Sequence, residues 1–516
     1  MVKKQQNAGV FGLIFYSPII FIGISALTVF YILCFFKNTV LPLFVFCPAV
    51  VSLIAFFAAC RFKKKLPENF KYILAGIFTG FIAFFNLLLF FYPPLTLAKT
   101  DKVDCIKVRL IGEPYPSGSK YYSVNAKLLN CKYQNGAEFS ANGNIKVFFP
   151  TGIILQNKVG EVSVYKSDKK NAAKFFSKGV ILSVKGKFIP KKSSIEPLLF
   201  FSSEEVPEFL GWDFFLSSIR ATMRFNLMRL LADWGGAGGL LLALLSSNKE
   251  FLEISCSSAF RNSGLSHVLA LSGMHVSLIS LLAIRLGSLS GRKSFAIKFS
   301  LFSIIFFVWF AGSAPSLNRA LGMMIILILG KSLGLKPDIF SILNTMLVLH
   351  ILFKPYDALS LGFMLSYGAL AGILLFGTAI FELLRGKLPS NILGGLSASI
   401  AAQAFTAPIV IAKIGVLAPI GIIASIVISP VISAFLIIGI PSVFLSFIFP
   451  QTSFIFSYLL NLIYSFIVFC VENFARFPLA EADGLTQKLF FAITPFCLGL
   501  AVMYYSDFIK KKRLGL

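Results

Sequence analysis

From Val10 to Phe36 the chain contains no charged residue, and apolar runs of similar character recur to its far end. A helix needs about 20 apolar residues to cross a bilayer, and inside lipid only helices or closed barrels satisfy every backbone group. Repeated runs of this length allow little besides a bundle of membrane-spanning helices. Composition agrees: 57% of the 516 residues are hydrophobic, 58 are Phe and only 14% are charged, a balance that excludes a soluble globular protein. The first run is too long for the apolar core of a secretory signal and lacks a small-x-small cleavage site, so it reads as a span.

Three runs come first, at Val10–Phe36, Val40–Cys60 and Tyr72–Tyr92. Lys3 and Lys4 precede the first, Lys37 alone follows it, and Arg61, Lys63, Lys64, Lys65 and Lys71 fill the loop before the third. The cytoplasmic bias of Lys and Arg puts the amino terminus inside and the stretch after Tyr92 outside. Later runs lie at Phe299–Phe310, Ile339–Phe353, Leu359–Phe376, Leu396–Ile414, Val416–Ile438, Phe454–Phe474 and Leu489–Tyr505. The expectation is a polytopic α-helical membrane protein of about 12 transmembrane segments with both termini cytoplasmic. Ile440–Phe449 is short and proline-bounded and reads as re-entrant. The formal charge of +26 belongs partly to orienting lysines and otherwise suits polyanions or anionic membrane lipid.

Residues 96–208 interrupt this pattern, dividing the chain into N-terminal spans (1–95), a polar extracytoplasmic insert and a larger membrane domain (209–516). Alternating segments at Val103–Ile111, Tyr121–Tyr133, Asn144–Phe149, Val159–Tyr165 and Val180–Phe188 are separated by turn formers, among them Asn135-Gly136 and Asn142-Gly143. About five short strands in little over a hundred residues point to a small OB-like β-barrel. From Lys99 to Glu208 there are 18 Lys+Arg against 10 Asp+Glu, interleaved with Tyr115, Tyr121, Tyr122, Tyr133, Tyr165, Phe148 and Phe149. Basic groups that track a backbone and rings that stack on bases are what single-strand binding needs, though ordinary strand-core aromatics have the same composition. Of eight cysteines, Cys105 and Cys131 fall on the first two strands. A hairpin pairing would bring them near one another, either as a disulfide or as two free thiols. Beyond Trp212, the spacing of Arg220, Arg224 and Arg229 among apolar residues reads as an amphipathic helix on the outer membrane surface, an anchor or a DNA guide.

Ser263–Ser280 has the length of a span yet holds His267 and His275, two of the chain's three histidines. An unbroken helix would align Ser266, Ala270, Gly273, Ser277 and Ser280 in a stripe of small residues, leaving no broad face for lipid. The run Gly264-Leu-Ser-His267-Val-Leu-Ala-Leu-Ser272-Gly273-Met-His275-Val resembles the signature of the ComEC competence channels. Ala311-Gly-Ser-Ala-Pro315-Ser316-Leu-Asn-Arg319-Ala is similar to a second motif of that family, and Asp357-Ala-Leu-Ser360-Leu-Gly362-Phe-Met-Leu-Ser366 to a third.

The resemblance implies a channel that carries single-stranded transforming DNA across the bacterial cytoplasmic membrane during natural competence. The insert would face outward as an OB-like domain. A helicase-like cytoplasmic ATPase, extracytoplasmic DNA-receptor and pilus proteins, and a separate nuclease for the other strand are the implied partners. Breaks around Ser272–His275 and Ala311–Arg319 would line the path, with His267, Ser272, Gly273, His275, Ser316, Arg319, Asp357 and Ser366 as its candidate residues. Arg319 would meet a phosphate, form a structural salt bridge or snorkel to the surface. Asp357 reads as a helix N-cap or as a pore-mouth or counter-ion group. The sequence departs from the family at Ser425, which stands where members often have Asn, and the chain stops at Leu516 without the metallo-β-lactamase-like domain that many members carry.

No catalytic constellation, metal set or cofactor motif is evident, so an enzyme is not expected. His267 and His275 lack a nearby carboxylate or cysteine at ligand spacing and read as a packed, hydrogen-bonded pair. Asn344, His350 and Gln403 read as interhelical hydrogen-bond residues. Gly330-Lys331-Ser332 lacks the earlier glycine of a nucleotide loop, that position being Ile325. Transport would then draw on a partner or an ion gradient. The competing reading is a polytopic secondary transporter or lipid flippase, which shares the use of broken helices.

Overall fold

The computed structural model describes residues 18–36, 68–91, 103–117, 121–134, 136–150, 176–189, 199–205, 207–481 and 484–513. The expected span Val40–Cys60, the strand Val159–Tyr165 and the start of the first span lie outside the described residues. The chain forms two compact units, one of residues 86–242 with 249–251 and the other of the remainder.

The smaller unit is built on a seven-stranded sheet. Its strands are β1 (Val103–Leu110), β2 (Tyr115–Ser117), β3 (Tyr121–Tyr133), β4 (Glu138–Pro150), β5 (Val180–Ile189), β6 (Leu199–Ser203) and β7 (Glu208–Trp212). β1 pairs with β3 and β5, β3 with β4, β4 with β6 in parallel, and β6 with β5, so the pairing returns to its starting strand. Strict alternation makes this possible. Ile106, Val108, Leu110, Val124, Ala126, Leu128, Ile145, Val147, Phe149, Val180, Leu182, Val184 and Phe201 all point inward as one buried core. β6 and β7 were not foreseen, and Asn142-Gly143 is no turn. Gly143 pairs with Leu128 in mid-strand, next to a bulge where a residue without a side chain eases the bend.

Two expectations for this unit are corrected. Cys105 and Cys131 are both free thiols. The register sets Cys105 opposite Lys132 and Ile106 opposite Cys131, so the two side chains leave opposite faces of the sheet. Cys131 joins the core, while Cys105 sits 3.2 Å from the Ser183 hydroxyl. The helix α3 (Phe215–Ala232) is not anchored by a row of exposed arginines either. Arg220 and Arg224 are 5% and 6% exposed, and Arg220 makes a 2.8 Å ion pair with Glu113 between β1 and β2, with Arg224 3.8 Å from the same oxygen. A carboxylate from the sheet unit supplies what an amphipathic reading assigns to water. The unit therefore extends beyond the expected boundary at Glu208 to take in β7 and α3.

The larger unit is helical. It contains α1 (Pro18–Phe36), the first part of α2 (Glu68–Phe91), the end of α4 (Gly235–Ser246), α5 (Ile254–Asn262), α6 (Ser266–Leu269), α7 (Gly273–Ser288), α8 (Lys293–Ala311), α9 (Pro315–Ser332) and α10 (Ile339–Phe353). There follow α11 (Leu361–Leu384), α12 (Ser390–Lys413), α13 (Gly421–Ile448), α14 (Ser453–Ala475) and α15 (Leu485–Arg513). Among the described residues seven helices are long and apolar enough to cross a membrane, and four shorter apolar helices accompany them. Ile440–Phe449 is not a separate re-entrant piece: α13 continues through Pro430 and Pro441. Val416 and Leu417 instead form a strand paired with Ala480 and Glu481.

Candidate functional site

Ser263–Ser280 is not one helix. Gly264 adopts φ +75, a conformation that favours glycine, and a side chain there would meet Gly421 Cα at 3.0 Å. After the single turn of α6 the chain is extended at Ala270 and Ser272, and α7 starts afresh at Gly273. The stripe of small residues that continuity would create is therefore divided between elements. Its place is taken by a helix start. Ser272 is the N-cap of α7, and His275 Nδ1 accepts the Ser272 N–H at 3.2 Å. That bond leaves the ring proton of the neutral imidazole on Nε2, where, at 1% exposure, it has no partner. His267 is exposed and bonds locally, with Nδ1 3.2 Å from the Gly264 carbonyl. Each histidine thus has its own local partner, and the two do not form a hydrogen-bonded pair.

The second motif supplies a matching helix start. Gly312, at φ +109, ends α8, and Pro315 opens α9, where its missing N–H costs nothing. Ser316 donates its hydroxyl to the Leu271 carbonyl, which fastens the start of α9 to the break before α7. One turn on, Arg319 donates through Nε to Ser366 at 2.9 Å, and its guanidinium lies 5.8 Å from the Tyr367 ring centre.

The third motif closes the cluster from α11. Asp357 is not the N-cap of that helix. Ser360 takes that place, accepting from the Phe363 N–H at 3.2 Å, while Asp357 lies in the 3₁₀ turn Pro355–Leu359. Its carboxylate accepts from His350 Nε2 at 3.0 Å and from Asn318 at 3.5 Å, and His350 Nδ1 lies 3.1 Å from the Tyr367 hydroxyl. Asn318 also donates to the Ser313 hydroxyl at 2.9 Å, and the Lys354 ammonium donates to the same oxygen at 2.5 Å. Sequence reasoning missed Asn318, Lys354 and Tyr367 as members, although Asn318 and Tyr367 adjoin motif residues. Of the interhelical candidates, Gln403 reaches the Ala418 carbonyl at 2.9 Å, but Asn344 donates within its own helix to Phe340. Among the described residues no group of His, Cys, Asp or Glu is arranged to hold a metal.

The sheet unit carries a separate feature. Lys146 lies 5.2 Å from the Tyr115 ring centre and 5.9 Å from that of Phe148, with Tyr121 and Phe200 edge-on to Phe148. Tyr115 and Tyr121 are exposed. Lys132, Lys185 and Lys187 elsewhere on the unit are paired with Glu138, Glu205 and Glu204.

Comparison with known proteins finds relatives in sequence. The chain is 27% identical to ComE operon protein 3 of Bacillus subtilis (strain 168) over 154 residues, 29% of this chain and 19% of that protein. It is 27% identical to an "Uncharacterized protein" of Aquifex aeolicus (strain VF5) over 264 residues, 51% of this chain and 60% of that one. The matched stretch is therefore less than two thirds of either relative. No solved structure matches. The family described as "Competence protein" matches residues 244–508, a region that contains all three motifs of the cluster, and the chain belongs to that family.

Proposed function

We propose that this protein is a channel that passes single-stranded DNA across the bacterial cytoplasmic membrane during natural competence. The observation that carries the reading is the meeting of three distant motifs. Ser316 on Leu271, Arg319 on Ser366 and Asn318 on Asp357 gather hydroxyls, small residues and a guanidinium at two helix starts within an otherwise apolar bundle. Non-helical backbone within such a bundle is tolerated where protein or water satisfies it, as along a path. A phosphodiester strand needs groups of this kind along its path. The pairing order of the sheet, with β4 and β6 parallel, supports an OB-like barrel, and its exposed rings beside Lys146 suit a strand held outside the membrane. Both termini would be cytoplasmic. A helicase-like ATPase inside, receptor and pilus proteins outside, and a separate nuclease would complete the pathway.

The test is uptake of DNA labelled on one strand, in cells with and without the gene and in cells complemented with it. Protected cytoplasmic label should require the gene and be single-stranded. Equal uptake after deletion, in cells that transform, overturns the proposal.

A further inference from the structure

Arg319 is a half-buried cation without an anion. Its Nε serves Ser366, Nη1 reaches the Met323 sulfur at 3.7 Å, and Tyr367 offers a ring. Among the described residues no carboxylate lies within ion-pair distance of it, and the acid of the cluster, Asp357, is engaged by His350 and Asn318. The remaining nitrogen, Nη2, faces the start of α7, where a methyl group on Gly273 would lie 3.7 Å away. The first amides of a helix have no intrahelical acceptor and form its positive end. Ser272 and His275 cap one another there, which engages the Ser272 and His275 N–H groups, and Gly273 adds no side chain over the Gly273 and Met274 amides between them. The start of α9 is tied alongside through Ser316, and the buried His275 Nε2–H on the first turn of α7 is a further unpartnered donor. A guanidinium set against positive helix ends, with nothing negative between them, is a repulsive arrangement in a low-dielectric bundle. It becomes favourable once an anion enters.

We propose that Arg319, Ser366 and the Ser272–Gly273 helix start form a binding site for one phosphodiester group. The planar fork of arginine and a row of backbone amides are the two protein features best matched to tetrahedral phosphate oxygens. This deepens the channel reading and rests on it for the source of the phosphate, since a phospholipid headgroup carries the same chemistry.

The experiment uses the full chain in dodecyl maltoside, a detergent without phosphate, and follows thermal unfolding with dimethyl phosphate, a thymidine dinucleotide or soluble short-chain phosphatidylglycerol. Dimethyl phosphate and the dinucleotide should each raise the wild-type midpoint by about 3 °C or more near saturation. Arg319→Met should unfold no earlier than wild type without ligand and should ignore both, because it removes an uncompensated charge along with the site. Arg319→Lys should keep part of the response. Should Arg319→Met not accumulate, Ser366→Ala serves, with about three- to tenfold weaker binding expected from one lost hydrogen bond. A larger response to phosphatidylglycerol than to the dinucleotide overturns the strand as the source. A wild type indifferent to every diester, or an Arg319→Met variant that responds like wild type, overturns the site. If deletion abolishes uptake while the diester response is flat, the channel reading stands and this one ends.

Discussion

His350 Nε2 lies 3.0 Å from Asp357 Oδ2, joining the last turn of α10 to the bend that leads into α11. The histidine side chain is 2% exposed and the carboxylate 22%, so the bond is shielded from water. Asp357→Ala leaves the buried His350 Nε2 without its acceptor and should lower bundle stability by about 2 kcal/mol. A double-mutant cycle with His350→Ala should show coupling, the pair costing less than the sum of the singles. Additive effects in chemical unfolding would mean that the contact contributes nothing.

The two strand cysteines should behave as unlike thiols. Cys105 is half-buried, whereas Cys131 is 1% exposed and burial pushes its thiol from the ordinary 9.0 up to about 11. Maleimide should label Cys105 in the folded protein and reach Cys131 only after denaturation, with no mobility change on reduction. Between pH 9 and about 11 the folded unit keeps a proton that the unfolded chain releases. Stability contributed by Cys131 is thus present below pH 9 and lost as pH rises through that window; Cys131→Ala should flatten that dependence. Equal labelling of both thiols contradicts the register.

Glu113 is the carboxylate that Arg220 and Arg224 share. Glu113→Gln keeps the shape and removes the charge, so it should destabilise the sheet unit by about 3 kcal/mol. Glu113→Asp should recover part of this. Limited proteolysis of the full chain around α3 reads the effect, and an unchanged cleavage rate would show that the arginines are neutralised elsewhere.

The rings around Lys146 should bind bases. Tyr115→Ala or Tyr121→Ala should each weaken oligonucleotide binding by the full chain by about 1–3 kcal/mol, and an abasic oligomer should bind less well than its parent. Lys146→Gln should reduce the salt slope by about 0.7 for one lost phosphate contact on a single strand. If the abasic oligomer binds as tightly as its parent, the aromatic face takes no part.

Much of the sheet unit was legible because strand patterning is local. The alternation in Tyr121–Tyr133 needs no knowledge of the partner strand, and that strand begins and ends where the pattern does. β6 and β7 are five residues each, too short for alternation to stand out. Asn142-Gly143 carries turn chemistry that the long pairing of β3 with β4 overrides. Arg220 and Arg224 went astray for a related reason: helical spacing shows that they share a face, not that Glu113 waits opposite it.

The sequence by itself determined that this chain belongs in a membrane, where an alternating insert interrupts it, and which three motifs carry its family. Those properties follow from run length, period and residue identity, which are readable one segment at a time. Only the tertiary structure decided that Ser263–Ser280 breaks at Ala270–Ser272, that Asp357 serves His350 rather than a helix start, and that Arg319 reaches Ser366 across 47 residues of chain. The physical reason is common to all three. A buried polar group takes whichever partner packing brings within about 3 Å, and that distance is a property of the folded bundle, which no local pattern encodes.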